Sequence, residues 1–76
     1  MEFNVKVFGR IKEITDPSFT VCDIPDTDQL RVYLGKRYPT LQRLNYAIAV
    51  EKEIIHDNVL LNDKAEVALL PPFSGG

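Results

Sequence analysis

Apolar and polar residues alternate from Phe3 to Val7, with Phe3, Val5 and Val7 on one face and Asn4 and Lys6 on the other. A period of two is the pattern of a half-buried strand, which the sequence predicts over residues 3–8. Phe8 breaks the rhythm by falling among the polar positions. Gly9 permits a bend, Asp16-Pro17-Ser18 is a turn signal, and residues 19–24 read as a second strand, antiparallel to the first across a long connection. The period then changes. Leu30, Tyr33, Leu34 and Tyr38 recur at helical spacing behind Asp26-Thr27-Asp28-Gln29, where Asp26 can cap first-turn N–H groups and Gln29 completes a capping-box pattern. Lys36 and Arg37 suit the C-terminal end of that helix, and Pro39 stops it by pushing residue 38 out of helical geometry.

Leu41 and Leu44, in the connection that follows, are expected to tuck into the edge of the core. Residues 46–51 read as a strand, Glu51-Lys52-Glu53 as a tight turn and 54–56 as a short return strand. Turn pairs Asp57-Asn58 and Asn62-Asp63 surround Val59-Leu60-Leu61, and residues 65–70 form a last strand cut off by Pro71-Pro72. A single helix among these strands predicts an α+β fold: a mixed sheet of four to five strands with one main helix packed across one face.

The chain has 76 residues, 45% of them hydrophobic and 26% charged, which fits one small globular domain. A domain of this size buries about 60% of its unfolded surface, so its core is a thin layer with little room for an enclosed active site. Nine Lys and Arg against eleven Asp and Glu give a net charge of −2, which argues against non-specific nucleic-acid binding. Cys22 is the single cysteine, so no internal disulfide staples the fold and a reducing compartment is expected. No apolar run approaches the ~18 residues of a membrane span, and Met1-Glu2-Phe3-Asn4 does not read as a signal peptide. These features predict a cytoplasmic protein with neither nucleic-acid nor membrane partners.

Few residues could carry chemistry. His56 has only Glu53 and Asp57 as ionisable neighbours in sequence, so no metal site is expected. Cys22 has no base in view, and its place in a strand points to packing. Asp23, Asp26 and Asp28 lack the glycine and distal glutamate of a calcium loop. Lys36, Arg37 and Arg43 read as a solvated basic face.

The ending Pro71-Pro72-Phe73-Ser74-Gly75-Gly76 is different. Glycine makes up ~7% of residues, so a terminal pair arises by chance in roughly one chain in 200. The two prolines stop sheet pairing and stiffen the exit. Gly75 and Gly76 lack a Cβ and can thread a narrow tunnel. The expected division is a folded body over 1–70 and an extended tail over 71–76, with the Gly76 carboxylate as the one functional group at its tip.

With this ending after a final strand, the element order resembles the ubiquitin-like β-grasp proteins. Within them it is most similar to the MoaD family, the sulfur-carrying small subunits of molybdopterin synthase. Val5-Lys6-Val7-Phe8 leading to Ile11-Lys12-Glu13-Ile14, Asp23-Ile24-Pro25 through Leu30-Arg31, and the whole stretch from Glu66 to Gly76 carry the resemblance. Two positions depart from it: Lys64-Ala65 stands where members often have glycine, and Glu51 where they often have asparagine.

The resemblance implies a carrier that is not an enzyme on its own and holds no permanent cofactor. An adenylating enzyme would use ATP to activate Gly76, and sulfur would displace AMP to leave a thiocarboxylate. The tail would then enter the large catalytic subunit of the synthase and donate its sulfur to a cyclic pyranopterin. Parallel pairing of the first and last strands, as in β-grasp folds, would gather Phe8, Leu70 and Ile54 or Ile55 into an exposed partner-binding patch. Pro71, Pro72, Phe73 and Ser74 would continue that contact along the tail. The alternatives are a thiamin-pathway sulfur carrier and a ubiquitin-like modifier or interaction module.

Overall fold

The structure is a computed structural model that describes residues 1–71. Strand β1 (Glu2–Val7) leads through a 3-10 helix (Gly9–Glu13) into β2 (Ser18–Cys22), and helix α1 (Thr27–Arg37) follows. A second 3-10 helix (Pro39–Arg43) precedes β3 (Ala47–Val50), β4 (Glu53–Ile54) and β5 (Glu66–Leu70). The five strands form one sheet in the order β2-β1-β5-β3-β4. Only β1 and β5 run parallel; the other neighbours are antiparallel. This is the expected mixed sheet with one α-helix, and the last strand lies at its centre.

The alternation in β1 does what its period predicts. Phe3, Val5 and Val7 are buried, and they meet Val21 and Phe19 of β2 and Val67 and Leu69 of β5 on the same face. Leu30 and Leu34 bring α1 down onto this layer, and Ile11, Leu41, Ile48 and Leu61 close its rim. Asp26 caps α1 by accepting a hydrogen bond from the Gln29 N–H at 2.9 Å. A second clamp comes from a remote loop. The Asn58 Oδ1 accepts from the Asp28 N–H at 2.9 Å, and the buried Thr27 hydroxyl accepts from the Val59 N–H at 2.9 Å.

Three expectations change. Cys22 is exposed rather than packed, because burial of Phe19 and Val21 turns it to the open face, where its Sγ lies 3.9 Å from Glu2 Oε2. Of the two connecting leucines, Leu41 is buried but Leu44 stays exposed beyond the end of the 3-10 helix. The return strand β4 spans only Glu53–Ile54, because Ile55 turns inward against the core while its N–H donates to the Ile48 carbonyl at 2.9 Å.

Candidate functional site: the exit of the last strand and its open sheet face

The site is where β5 leaves the sheet. Hydrogen-bonded on one side to β1 and on the other to β3, β5 is held along both edges up to Leu70. The Phe8 N–H still donates to the Leu69 carbonyl at 3.0 Å, one residue beyond β1. Gly9 then takes a left-handed φ of 64°, and Pro71 packs directly on its backbone. A Cβ at Gly9 would stand 2.8 Å from Pro71 Cγ, closer than real contacts allow. Only glycine tolerates both the dihedral and the approach.

Beside this exit lies the sheet face that the helix leaves uncovered. The register aligns Lys6, Ala68, Ala49 and Ile54 in one row across four strands. The next row toward the exit holds Leu70 opposite Ala47, with Phe8 alongside. Phe8, Ala49, Ala68 and Leu70 line a shallow hollow of about 290 Å³, rimmed by Lys6, Lys52 and Glu66. Small side chains at Ala49 and Ala68 form its floor. Phe8 is 44% exposed and Ile54 50% exposed, unusual for large apolar side chains on one small domain. Away from the exit the same face becomes polar, with Asn4 and Ser18 hydrogen-bonded at 3.0 Å and Thr20, Glu2 and Lys64 around them.

The structure therefore gathers Phe8, Ile54 and Leu70 on one face next to Pro71. Ile54, not Ile55, joins the patch. Pro72, Phe73, Ser74, Gly75 and Gly76 lie outside the described residues. His56 is exposed in a loop and Cys22 sits by the opposite sheet edge. Among the described residues no three His, Cys, Asp or Glu side chains cluster as metal ligands would, and no helix is long and apolar enough to cross a membrane.

Two perturbed groups sit on the helix side of the molecule. The Arg37 guanidinium is held more firmly protonated by its 3.0 Å hydrogen bond to the Tyr38 hydroxyl, with help from Tyr33. Burial pushes the Tyr46 hydroxyl above the usual tyrosine range, partly opposed by Arg31, whose Cζ lies 5.7 Å from the ring centroid.

Sequence reasoning missed the Gly9–Pro71 contact. A lone glycine after a strand signals a bend, but nothing local says what packs on it. The expected turn after β3 is present, and the two departures from the resemblance fall at unusual backbone angles. Glu51, Lys52 and Lys64 all have positive φ, at 51°, 71° and 63°. Glu51 and Lys52 form a two-residue hairpin between Val50 and Glu53, a turn that demands left-handed geometry at both positions. Asparagine at 51 and glycine at 64–65, the residues the resemblance implied there, would tolerate this geometry.

A five-stranded mixed sheet spanned by one helix, with its C-terminal strand central and its exit beside an open apolar face, defines a ubiquitin-like β-grasp domain. The ThiS family model matches residues 5–76, and the chain belongs to that family. The molybdopterin synthase sulfur carrier subunit of Arabidopsis thaliana is 25% identical over 81 residues, covering all of this chain and 84% of that protein. Among solved structures, a complex of subunits 1 and 2 of the molybdopterin-converting factor of Helicobacter pylori contains a chain 30% identical, with a TM-score of 0.75 and full coverage of both chains. The small archaeal modifier protein 1 of Methanosarcina acetivorans has the same fold, with a TM-score of 0.79 at 23% identity over 99% of this chain and 96% of that one. The sulfur-carrier expectation and the β-grasp expectation both agree with these relatives.

Proposed function

We propose that this chain is the sulfur-carrying subunit of molybdopterin synthase, acting in the cytoplasm, and that Gly76 is its working group. The observation that supports this most is the anchored exit: a central strand, hydrogen-bonded on both sides, ends with Pro71 packed against Gly9. In the first step a Gly76 carboxylate oxygen attacks the α-phosphate of ATP on an activating enzyme, and pyrophosphate leaves. A persulfide on a donor protein then attacks the acyl carbon and AMP leaves, giving an acyl disulfide. A thiol attacks the donor's sulfur, forms a disulfide with it, and releases the Gly76 thiocarboxylate. A thiocarboxylate is ionised near neutrality, and sulfur anions are strong nucleophiles. The large catalytic subunit would seat on the open face around Phe8, Ile54 and Leu70, take up Pro72, Phe73, Ser74, Gly75 and Gly76, and supply the substrate pocket for the cyclic pyranopterin.

The test is intact-protein mass spectrometry after incubation with activating enzyme, ATP and a sulfur source. Exchange of one oxygen for sulfur, located on the C-terminal peptide, is the expected result. Sulfur recovered on Cys22 instead overturns the proposal. Sulfur delivered only to a thiazole precursor assigns the carrier to the thiamin pathway, and an isopeptide bond from Gly76 to a target lysine assigns it to the modifiers.

A further inference from the structure

The sheet has two edges, and they are not alike. At one end β4 is two residues long and begins with Glu53, a short charged edge of the kind that discourages further pairing. At the other end β2 is five residues long and contains no charged residue and no proline. Its hydrogen bonding can be assigned residue by residue. The Asp23 N–H donates to the Met1 carbonyl and the Val7 N–H to the Pro17 carbonyl, both at 2.9 Å. With Phe3 opposite Val21 and Val5 opposite Phe19, the antiparallel alternation commits the odd-numbered residues of β2 to β1. The N–H and C=O groups of Ser18, Thr20 and Cys22 point outward, and among the described residues no strand pairs with them.

The helix side of this edge is aromatic and basic. Phe19 packs against Tyr38 with ring centroids 5.6 Å apart, and the Arg37 guanidinium lies 5.4 Å from the Tyr38 centroid. Arg37 donates from Nε to the Tyr38 hydroxyl at 3.0 Å, so the cation is held one ring from the strand. Residues 29–50 include Arg31, Lys36, Arg37 and Arg43 and no acid in a chain of net −2, and of these Arg37 is the one held beside β2. The acids at the ends of β2 are Asp16 and Asp23, and Asp23 faces the N-terminal ammonium at 3.5 Å.

We propose that the free edge of β2 docks an extended peptide segment of a partner protein, apolar at alternate positions and flanked by acidic residues, which pairs with Ser18, Thr20 and Cys22 and places an acid against Arg37. Backbone pairing supplies the affinity and the basic flank the selectivity. A second copy of this chain fits less well, because pairing β2 with β2 would bring two Arg37 guanidinium groups toward each other across the dyad. The surface is separate from the Phe8–Leu70 face, so occupation of one leaves the other open.

The experiment titrates the full-length protein with a synthetic peptide of sequence Asp-Glu-Val-Thr-Ile-Thr-Val and follows its backbone amides by NMR. Shifts and slowed hydrogen exchange centred on Thr20 and Cys22 are expected. Arg37→Glu should weaken binding about tenfold, and Thr20→Pro, which removes an outward N–H, should abolish it. Unchanged dispersion of the remaining amides in Arg37→Glu reports an intact fold. Absence of saturable shifts, shifts centred on Lys6, Ala68 and Leu70, or binding indifferent to Arg37→Glu overturns the proposal. Sedimentation showing dimers joined through β2 would assign the edge to a second copy and overturn it as well.

Discussion

Gly9 and Pro71 are 62 residues apart in sequence and in direct contact, the proline ring lying 2.8 Å from where a Cβ of residue 9 would have to stand. This contact fixes the direction in which the chain leaves β5. Replacing Gly9 by alanine puts a side chain at φ 64° and within 2.8 Å of a ring that cannot fold away. Gly9→Ala is expected to lose about 1–3 kcal/mol in urea unfolding. It should also slow the transfer of sulfur to Gly76, through the shifted exit. Full stability together with an unchanged rate of thiocarboxylate formation would show that Pro71 does not aim the tail.

Gly35 looks equally crowded but should behave in the opposite way. A Cβ there would meet Gln42 Nε2 at 2.5 Å, the far end of an exposed and flexible side chain. Gln42 can swing into solvent, and alanine is the better helix former by about 1 kcal/mol. Gly35→Ala is therefore expected to leave stability unchanged or raise it by up to that amount. A loss above ~1 kcal/mol in the same unfolding assay would mean that Gln42 is fixed in place.

The hairpin after β3 stores strain that can be removed. Lys52 at φ 71° and Lys64 at φ 63° both have a side chain where glycine is preferred. Lys52→Gly and Lys64→Gly should each stabilise by roughly 0.5–1 kcal/mol, the relief of left-handed strain less the entropy of a freer unfolded chain. Glu51 is the wrong residue to change. Its carboxylate accepts from the Glu66 N–H at 2.9 Å and ties the turn to β5, so Glu51→Gly should gain less than Lys52→Gly. Thermal melts of the three variants check the order.

On the open face, Phe8→Ala removes a large exposed side chain without opening the core. Binding to the large synthase subunit, measured by titration calorimetry, should weaken by about 1–3 kcal/mol, with the melting curve little changed. Unaltered affinity would place the interface elsewhere.

The tail separates geometry from chemistry. Gly75 has no reactive group, yet Gly75→Val should leave the melting temperature alone and reduce both adenylation and sulfur transfer. A β-branched residue restricts the backbone and widens the chain at the point that enters a partner. Misplacement of a reacting group by ~1 Å can cost on the order of 100-fold in rate. Gly75→Ala should fall between. Parent-like turnover of Gly75→Val in both half-reactions would make the tail a plain tether.

How much of this was legible in the sequence depended on the range of the interactions involved. The alternation of Phe3, Val5 and Val7, the Asp26 cap and the Pro39 stop are local, and they placed β1 and α1 within a residue or two. The open apolar face was legible once Phe8 fell out of phase and Leu70 in phase with Ala68. Interactions between distant segments were not. Nothing near Asn58 announces that its amide caps a helix 31 residues away, and nothing near Gly9 announces Pro71. Cys22 is in phase with Thr20 and out of phase with the buried Phe19 and Val21, so the alternation puts it outside, and the expectation of packing followed the apolar character of cysteine instead. The sulfur-carrier class was legible because the Pro71-Pro72 and Gly75-Gly76 ending that suggested it needs no tertiary structure to define it.

The central position of β5 also has a mechanical consequence. On the proposed function, a carrier that hands its terminus first to one enzyme and then to another would have that terminus pulled each time it is withdrawn. A pull along β5 loads the backbone bonds to β1 and to β3 together, in shear, so that they resist in concert rather than peeling one by one as they would at a sheet edge. On that reading the body keeps its shape under the load, and the same folded molecule would be charged and discharged again.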